Sequence, residues 1–109
     1  MSGGTGRIRH YVVAIPNPAA AVQLSTGIPA GEEQAHAKQV FEYLYVTPAP
    51  GEAAIDLGGD SSLAAGQGLR IQAPAAGDSP VPIPGPVKLS DIWVIGTAGD
   101  NVNVFGKTL

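Results

Sequence analysis

Glycine and proline punctuate this chain so often that few stretches are long enough to form a helix. The 15 glycines and 10 prolines make up 25 of the 109 residues. Glycine supplies the backbone angles that turns need, and proline withholds a donor from any hydrogen-bonded ladder. Their spacing predicts many short strands joined by turns. The most legible stretch is 87–105, VKLSDIWVIGTAGDNVNVF. Two runs of Val, Ile and aromatic residues, 92–95 and 102–105, flank GTAGDN, and the pattern predicts an antiparallel hairpin. Val102 and Val104 point to one face and Asn103 to the other, while 92–95 is apolar on both sides and predicts a central strand.

The rest of the chain yields further strands. In 7–15, Ile8, His10 and Val12 alternate with Arg9, Tyr11 and Val13 until Pro16-Asn17-Pro18 ends the run. Strands are predicted at 21–25, 53–57 and 69–72. The segment 32–46 is ambiguous. Ala37, Val40, Phe41 and Leu44 fit a helical stripe, but β-branched and aromatic residues crowd 40–47, which favours a strand over 38–46 with Phe41, Tyr43 and Tyr45 on one face. In 73–86, prolines at 74, 80, 82, 84 and 86 impose an extended path at an edge or on the surface.

The fold class expected is therefore all-β: a single antiparallel β-sandwich, jelly-roll-like, over 11–109, with a flexible N-terminal arm at 1–10 and a Pro-rich insertion at 73–86. Phe41, Leu44, Val46, Ile55, Leu57, Leu69, Ile71, Leu89, Trp93, Ile95, Val102 and Val104 should supply most of the core.

Charged residues are only 14% of the chain, against 44% hydrophobic. So little charge leaves surface for a partner to cover, and predicts association. With no cysteine there is no disulfide framework. No signal peptide is recognisable and no apolar run approaches the roughly 20 residues of a membrane helix, so a soluble protein without a membrane partner is expected. Residues 1–31 hold Arg7 and Arg9 and no acid, while 32–109 hold nine acids and four bases. A body this acidic argues against nucleic acid and leaves the basic start for an acidic protein surface.

Residue patterns for catalysis are missing. Gly106-Lys107-Thr108 ends like a phosphate loop, but Asn101 stands where that loop needs glycine, and no helix follows. His10 and His36 lack neighbours at zinc-ligand spacing and are expected on strands or at the surface. Asp56, Asp60, Asp78, Asp91 and Asp100 form no DxDxD run and suit local hydrogen bonding at turns. Ser61 and Ser62 lack a GxSxG elbow. Tyr43, Tyr45 and Trp93 could form a sugar-stacking platform, though such aromatics more often fill cores and subunit interfaces. No enzyme activity, cofactor or metal is expected.

Several motifs between about 22 and 105 are shared with one kind of protein. They are Gln23-Leu24-Ser25, Ala37-Lys38-Gln39-Val40, Ile55-Asp56-Leu57-Gly58-Gly59, LAAGQGLRI over 63–71, and LSDIWVIGTAGDNVNV over 89–104. The chain thereby resembles small structural proteins of tailed-bacteriophage virions; 71–87 and 7–15 lie outside the pattern. The resemblance implies a β-sandwich subunit on the particle surface, made in the host cytoplasm. It is read as a head decoration, or cement, protein that binds the major capsid protein and stabilises the shell as a homotrimer. A tail, collar or fibre subunit and a carbohydrate-binding receptor module are the alternatives. In the decoration reading Arg7, Ile8, Arg9, Tyr11 and Val13 of the arm contact the capsid, and Phe41, Tyr43 and Tyr45 form the subunit interface.

Overall fold

Nested strand pairs define the architecture. The computed structural model describes residues 6–32, 36–72 and 82–109. Among them the strands are β1 (Ile8–Ala14), β2 (Val22–Gln23), β3 (Phe41–Pro48), β4 (Ile55–Gly58), β5 (Leu69–Ile71), β6 (Ile83–Val87), β7 (Trp93–Ile95) and β8 (Asn101–Thr108). β4 pairs with β5, β3 with β6, β2 with β7 and β1 with β8, all antiparallel, like one long hairpin folded over. The pairs β3·β8 and β4·β7 then complete two four-stranded sheets, ordered β1-β8-β3-β6 and β2-β7-β4-β5. The fold is an all-β sandwich with the strand order of a jelly roll. Among the described residues, fifteen apolar side chains fill the space between the sheets, including Tyr11, Val13, Leu24, Phe41, Leu44, Ile55, Val94, Val102 and Val104.

Four expectations need correction. The 87–105 stretch is not a hairpin. β7 lies in the second sheet between β2 and β4, and β8 in the first between β1 and β3, so each strand's two edges are taken by other partners. The turn is real, with Asp100 N–H bonded to the Thr97 carbonyl at 3.0 Å and Gly99 at φ 84°. It carries the chain from one sheet to the other and is tied to the end of β1, where Ile15 N–H bonds the Asp100 carbonyl at 2.9 Å. Two apolar runs around a turn look alike in sequence whether they pair or part.

Residues 7–10 are not a free arm either. β1 begins at Ile8 and pairs with β8 from Ile8 opposite Lys107 to Ala14 opposite Asn101. Only 1–5 of the expected arm lie outside the described residues.

The third correction concerns β3. The strand expected at 38–46 starts at Phe41 and follows a helical turn at 36–37. A register shift between Phe41 and Tyr43 leaves Glu42 without an opposite residue on β8, a β-bulge. The extra residue reverses the alternation. Phe41 falls in phase with Leu44 and Val46 and is fully buried, whereas Tyr43 and Tyr45 face outward.

Lastly, the expected core was incomplete. Leu69 is exposed on edge strand β5, and Trp93 is only half-buried, while Tyr11, Val13, Ile15, Leu24, Ile28 and Ile92 join the interior. The segment predicted as a strand at 21–25 passes into a 3-10 turn, Leu24–Gly27. Of the Pro-rich stretch, 73–81 lies outside the described residues. β6 runs along the edge of the first sheet with Pro84 and Pro86 turned outward.

Candidate interaction surfaces

The outer faces of the two sheets differ. The loop after β4 folds over the second sheet, burying Leu63 against Gly58. Beneath it Asp56, only 6% exposed, accepts from Gly66 N–H at 2.9 Å and from both Nε and Nη2 of Arg70 at 3.2 Å. Its role is structural: the carboxylate holds the loop down, and every oxygen is used. Asp60 likewise accepts from the Ser62 N–H and hydroxyl within the turn, which hold its carboxyl below the ordinary value.

No such cover lies over the first sheet among the described residues. Across β1, β8, β3 and β6 its outer face reads in rows: Ile8, Lys107, Tyr43, Pro84; then His10, Phe105, Tyr45; then Val12, Asn103, Thr47. Ile8 and Val12 are 55% and 54% exposed and Phe105 is 44% exposed. Tyr43 and Tyr45 meet edge-on at 5.5 Å, and Tyr45 and Phe105 lie 6.4 Å apart, inclined by 50°. Lys107 pairs with the bulged Glu42 at 3.4 Å, so the charge beside the aromatic row is largely balanced.

This face contains two of the three residues expected at a subunit interface. Phe41 is excluded from this face by the bulge, and Phe105 lies on it beside Tyr45. Alternation along β8 pointed to Phe105, because Asn103 already faces outward. Trp93 belongs to the other sheet, so the sugar platform of Tyr43, Tyr45 and Trp93 is not assembled. Of the residues expected to touch a capsid, Arg7, Ile8 and Arg9 retain exposed surface, but Tyr11 and Val13 point into the sandwich, 7% and 1% exposed. Their side chains cannot serve as contacts without opening the core.

His36, expected on a strand or at the surface, is buried beside β1. Its Nδ1 and the Tyr11 hydroxyl share a 2.8 Å hydrogen bond that ties the helical turn to the first sheet. Burial pushes the Tyr11 phenol above its ordinary value near 10, with Arg9 pulling it down and Glu32 pushing it up. The folded state therefore holds the phenolic proton more tightly than the unfolded chain. That contribution to stability is complete below pH 10 and is lost as pH rises through the elevated folded value. Tyr11→Phe is expected to flatten this alkaline decline in urea midpoints. At neutral pH it should cost about 1–3 kcal/mol, because His36 Nδ1 loses its buried partner.

Gly106-Lys107-Thr108 lies within β8, where the Thr108 N–H bonds the Arg7 carbonyl at 2.9 Å, so the run forms no loop. No group of three or more metal-ligating side chains is assembled among the described residues. Compared with known proteins, the chain matches no family model, no curated protein and no solved structure.

Proposed function

We propose that this chain is a non-enzymatic structural subunit of a tailed-bacteriophage particle: a decoration protein that self-associates as a homotrimer and binds the head shell. The observation that carries the reading is the aromatic face of the first sheet, uncovered among the described residues, in a sandwich whose other outer face is partly covered by its own loop around Asp56 and Leu63. Contiguous exposed apolar surface on a small domain marks a contact site. A threefold arrangement would close that face without leaving a polymerising edge. The sequence resemblance over 22–105 supports the virion setting, as does the use of jelly rolls in viral capsid domains. Fold alone does not decide function. Arg7, Ile8 and Arg9, at the end of β1, are the shell contacts in this reading, and the acidic major capsid surface is their partner.

The ring geometry favours a protein partner over a glycan. Sugars stack on flat aromatic faces, but Tyr43 and Tyr45 stand at 75° to one another. Edge-to-face clusters of this kind are common where aromatic side chains pack together.

Sedimentation velocity tests the reading. The intact protein is expected to sediment as three copies, and the pair Tyr45→Glu with Phe105→Glu as one, with the circular dichroism of the sandwich retained. Cryo-EM of the particle should place threefold clusters on the head. A monomer both in solution and on the particle overturns the proposal.

A further inference from the structure

We propose that the free edge of β1 between Ile8 and Tyr11 is a docking slot for an extended, carboxylate-bearing segment of another protein, which joins the first sheet as an added strand. Main-chain bonding fixes which groups are free. Thr108 N–H bonds the Arg7 carbonyl and Ile15 N–H bonds the Asp100 carbonyl, so the odd-numbered residues of β1 direct their backbone groups to β8. Those of Ile8 and His10 point to the edge, where no backbone partner meets them among the described residues. Two residues apart, they are spaced by about 6.6 Å, the repeat an incoming strand presents.

The slot has ends and walls. Towards β1's C-terminus it closes at Gly27, which lies so near the Val12 carbonyl that an added Cβ would come within 2.8 Å of it. Opposite the open half stand Pro29, Glu32 and His36, which with residues 8–11 line an open groove of about 320 Å³. The sheet's other edge, β6, carries Pro84 and Pro86, which cannot donate.

Arg9 sets the chemistry of the occupant. It lines the slot, and its Nε is buried with no hydrogen-bond partner. A carboxylate entering beside it would satisfy that donor through a charge-assisted bond, and exposed Arg7 adds charge of the same sign. Glu32 on the far wall disfavours a second acid there, so the carboxylate belongs on the side turned to Arg9. A second copy of this chain fits poorly. Its own β1 edge carries the same wall of Pro29, Glu32 and His36, and two walls would meet in one gap.

The assignment rests on the shell-contact reading for the source of the partner, but its test needs only the isolated protein. Acetylated and amidated Thr-Val-Glu-Val-Thr, titrated into the isotope-labelled protein, is expected to shift the Ile8 and His10 amide signals and slow their exchange about fivefold. The lysine analogue, Thr-Val-Lys-Val-Thr, should bind about tenfold more weakly. Arg9→Gln should erase that preference with circular dichroism unchanged. Equal binding by the two peptides, or shifts confined to residues remote from Ile8 and His10, overturns the slot. So does protection of these amides that grows with protein concentration and no peptide, which assigns the edge to a second copy. A peptide that binds while the chain is missing from virions keeps the slot and removes the virion reading; decoration of heads without peptide binding does the reverse.

Discussion

Phe41→Ala is expected to lower the unfolding free energy by about 3–5 kcal/mol. Phe41 is fully buried and is the largest such side chain of the core. Its ring fills the space between the sheets at the start of β3, alongside Leu44 and Val46 from the same strand. Interiors are close-packed, so the truncated site loses both the burial of the ring and the contacts its neighbours made with it. Against a total stability of about 5–15 kcal/mol for a domain, that loss is a large fraction. Urea denaturation of Phe41→Ala and Tyr43→Ala, both at one fixed protein concentration because association adds to apparent stability, gives the comparison. The bulge places one residue inside and the other outside, although they sit two apart in a strand. Tyr43→Ala should therefore cost far less stability and, if the proposed trimer forms through this face, act mainly on that association. Equal losses for the two would return Phe41 to the outer face.

The fold class was legible because turn residues and alternation are local signals. β4 and β5 fall where the sequence placed them, β1 fits the 7–15 alternation but not the arm assigned to 1–10, and the inward phase of Val102 and Val104 follows directly from their spacing. What was not legible depends on distant partners. Whether 92–95 pairs with 102–105 is decided by β1, β2, β3 and β4, which claim the edges of β7 and β8. The phase of Phe41 is set by one extra residue, Glu42, whose effect on the ladder exists only once β8 lies beside it. For the interaction surface, Tyr43 and Tyr45 were readable as a pair on one face. Phe105 was readable as outward-facing from its alternation with Val104, but its place beside Tyr45 needed the β3·β8 register. The buried role of His36 was not legible because its partner, Tyr11, is 25 positions away, and a lone histidine carries no sign of a tertiary hydrogen bond.

The bulge makes a further demand, and it sets the second large expected effect: Gly106→Val should leave no folded protein, and Gly106→Ala should cost about 3 kcal/mol or more. Gly106 lies in β8, between β1 and β3, on the face that looks into the sandwich. A Cβ there would come within 2.5 Å of the Tyr43 carbonyl oxygen, 2.7 Å of Leu44 Cδ2 and 3.0 Å of Phe41 Cδ2. The leucine methyl can rotate away, but the carbonyl cannot move without parting the β3·β8 ladder, which has neighbours on both sides. β3 is crowded from its other side as well, where a Cβ on Gly85 of β6 would fall 2.0 Å from the Phe41 carbonyl oxygen. The bulged segment of β3 is thus held between two strands that must both lack side chains where they pass it. Gly59→Ala provides the control, since its Cβ would meet nothing within 4 Å and its backbone angle is not positive. Thermal melts followed by circular dichroism should leave Gly59→Ala within a few degrees of the parent and find Gly106→Ala strongly lowered. Gly85→Ala combined with Gly106→Ala should cost less than the sum of the two, because one rearrangement of the bulge relieves both contacts. A Gly106→Ala protein that melts like the parent would mean that β3 and β8 pair without the bulge.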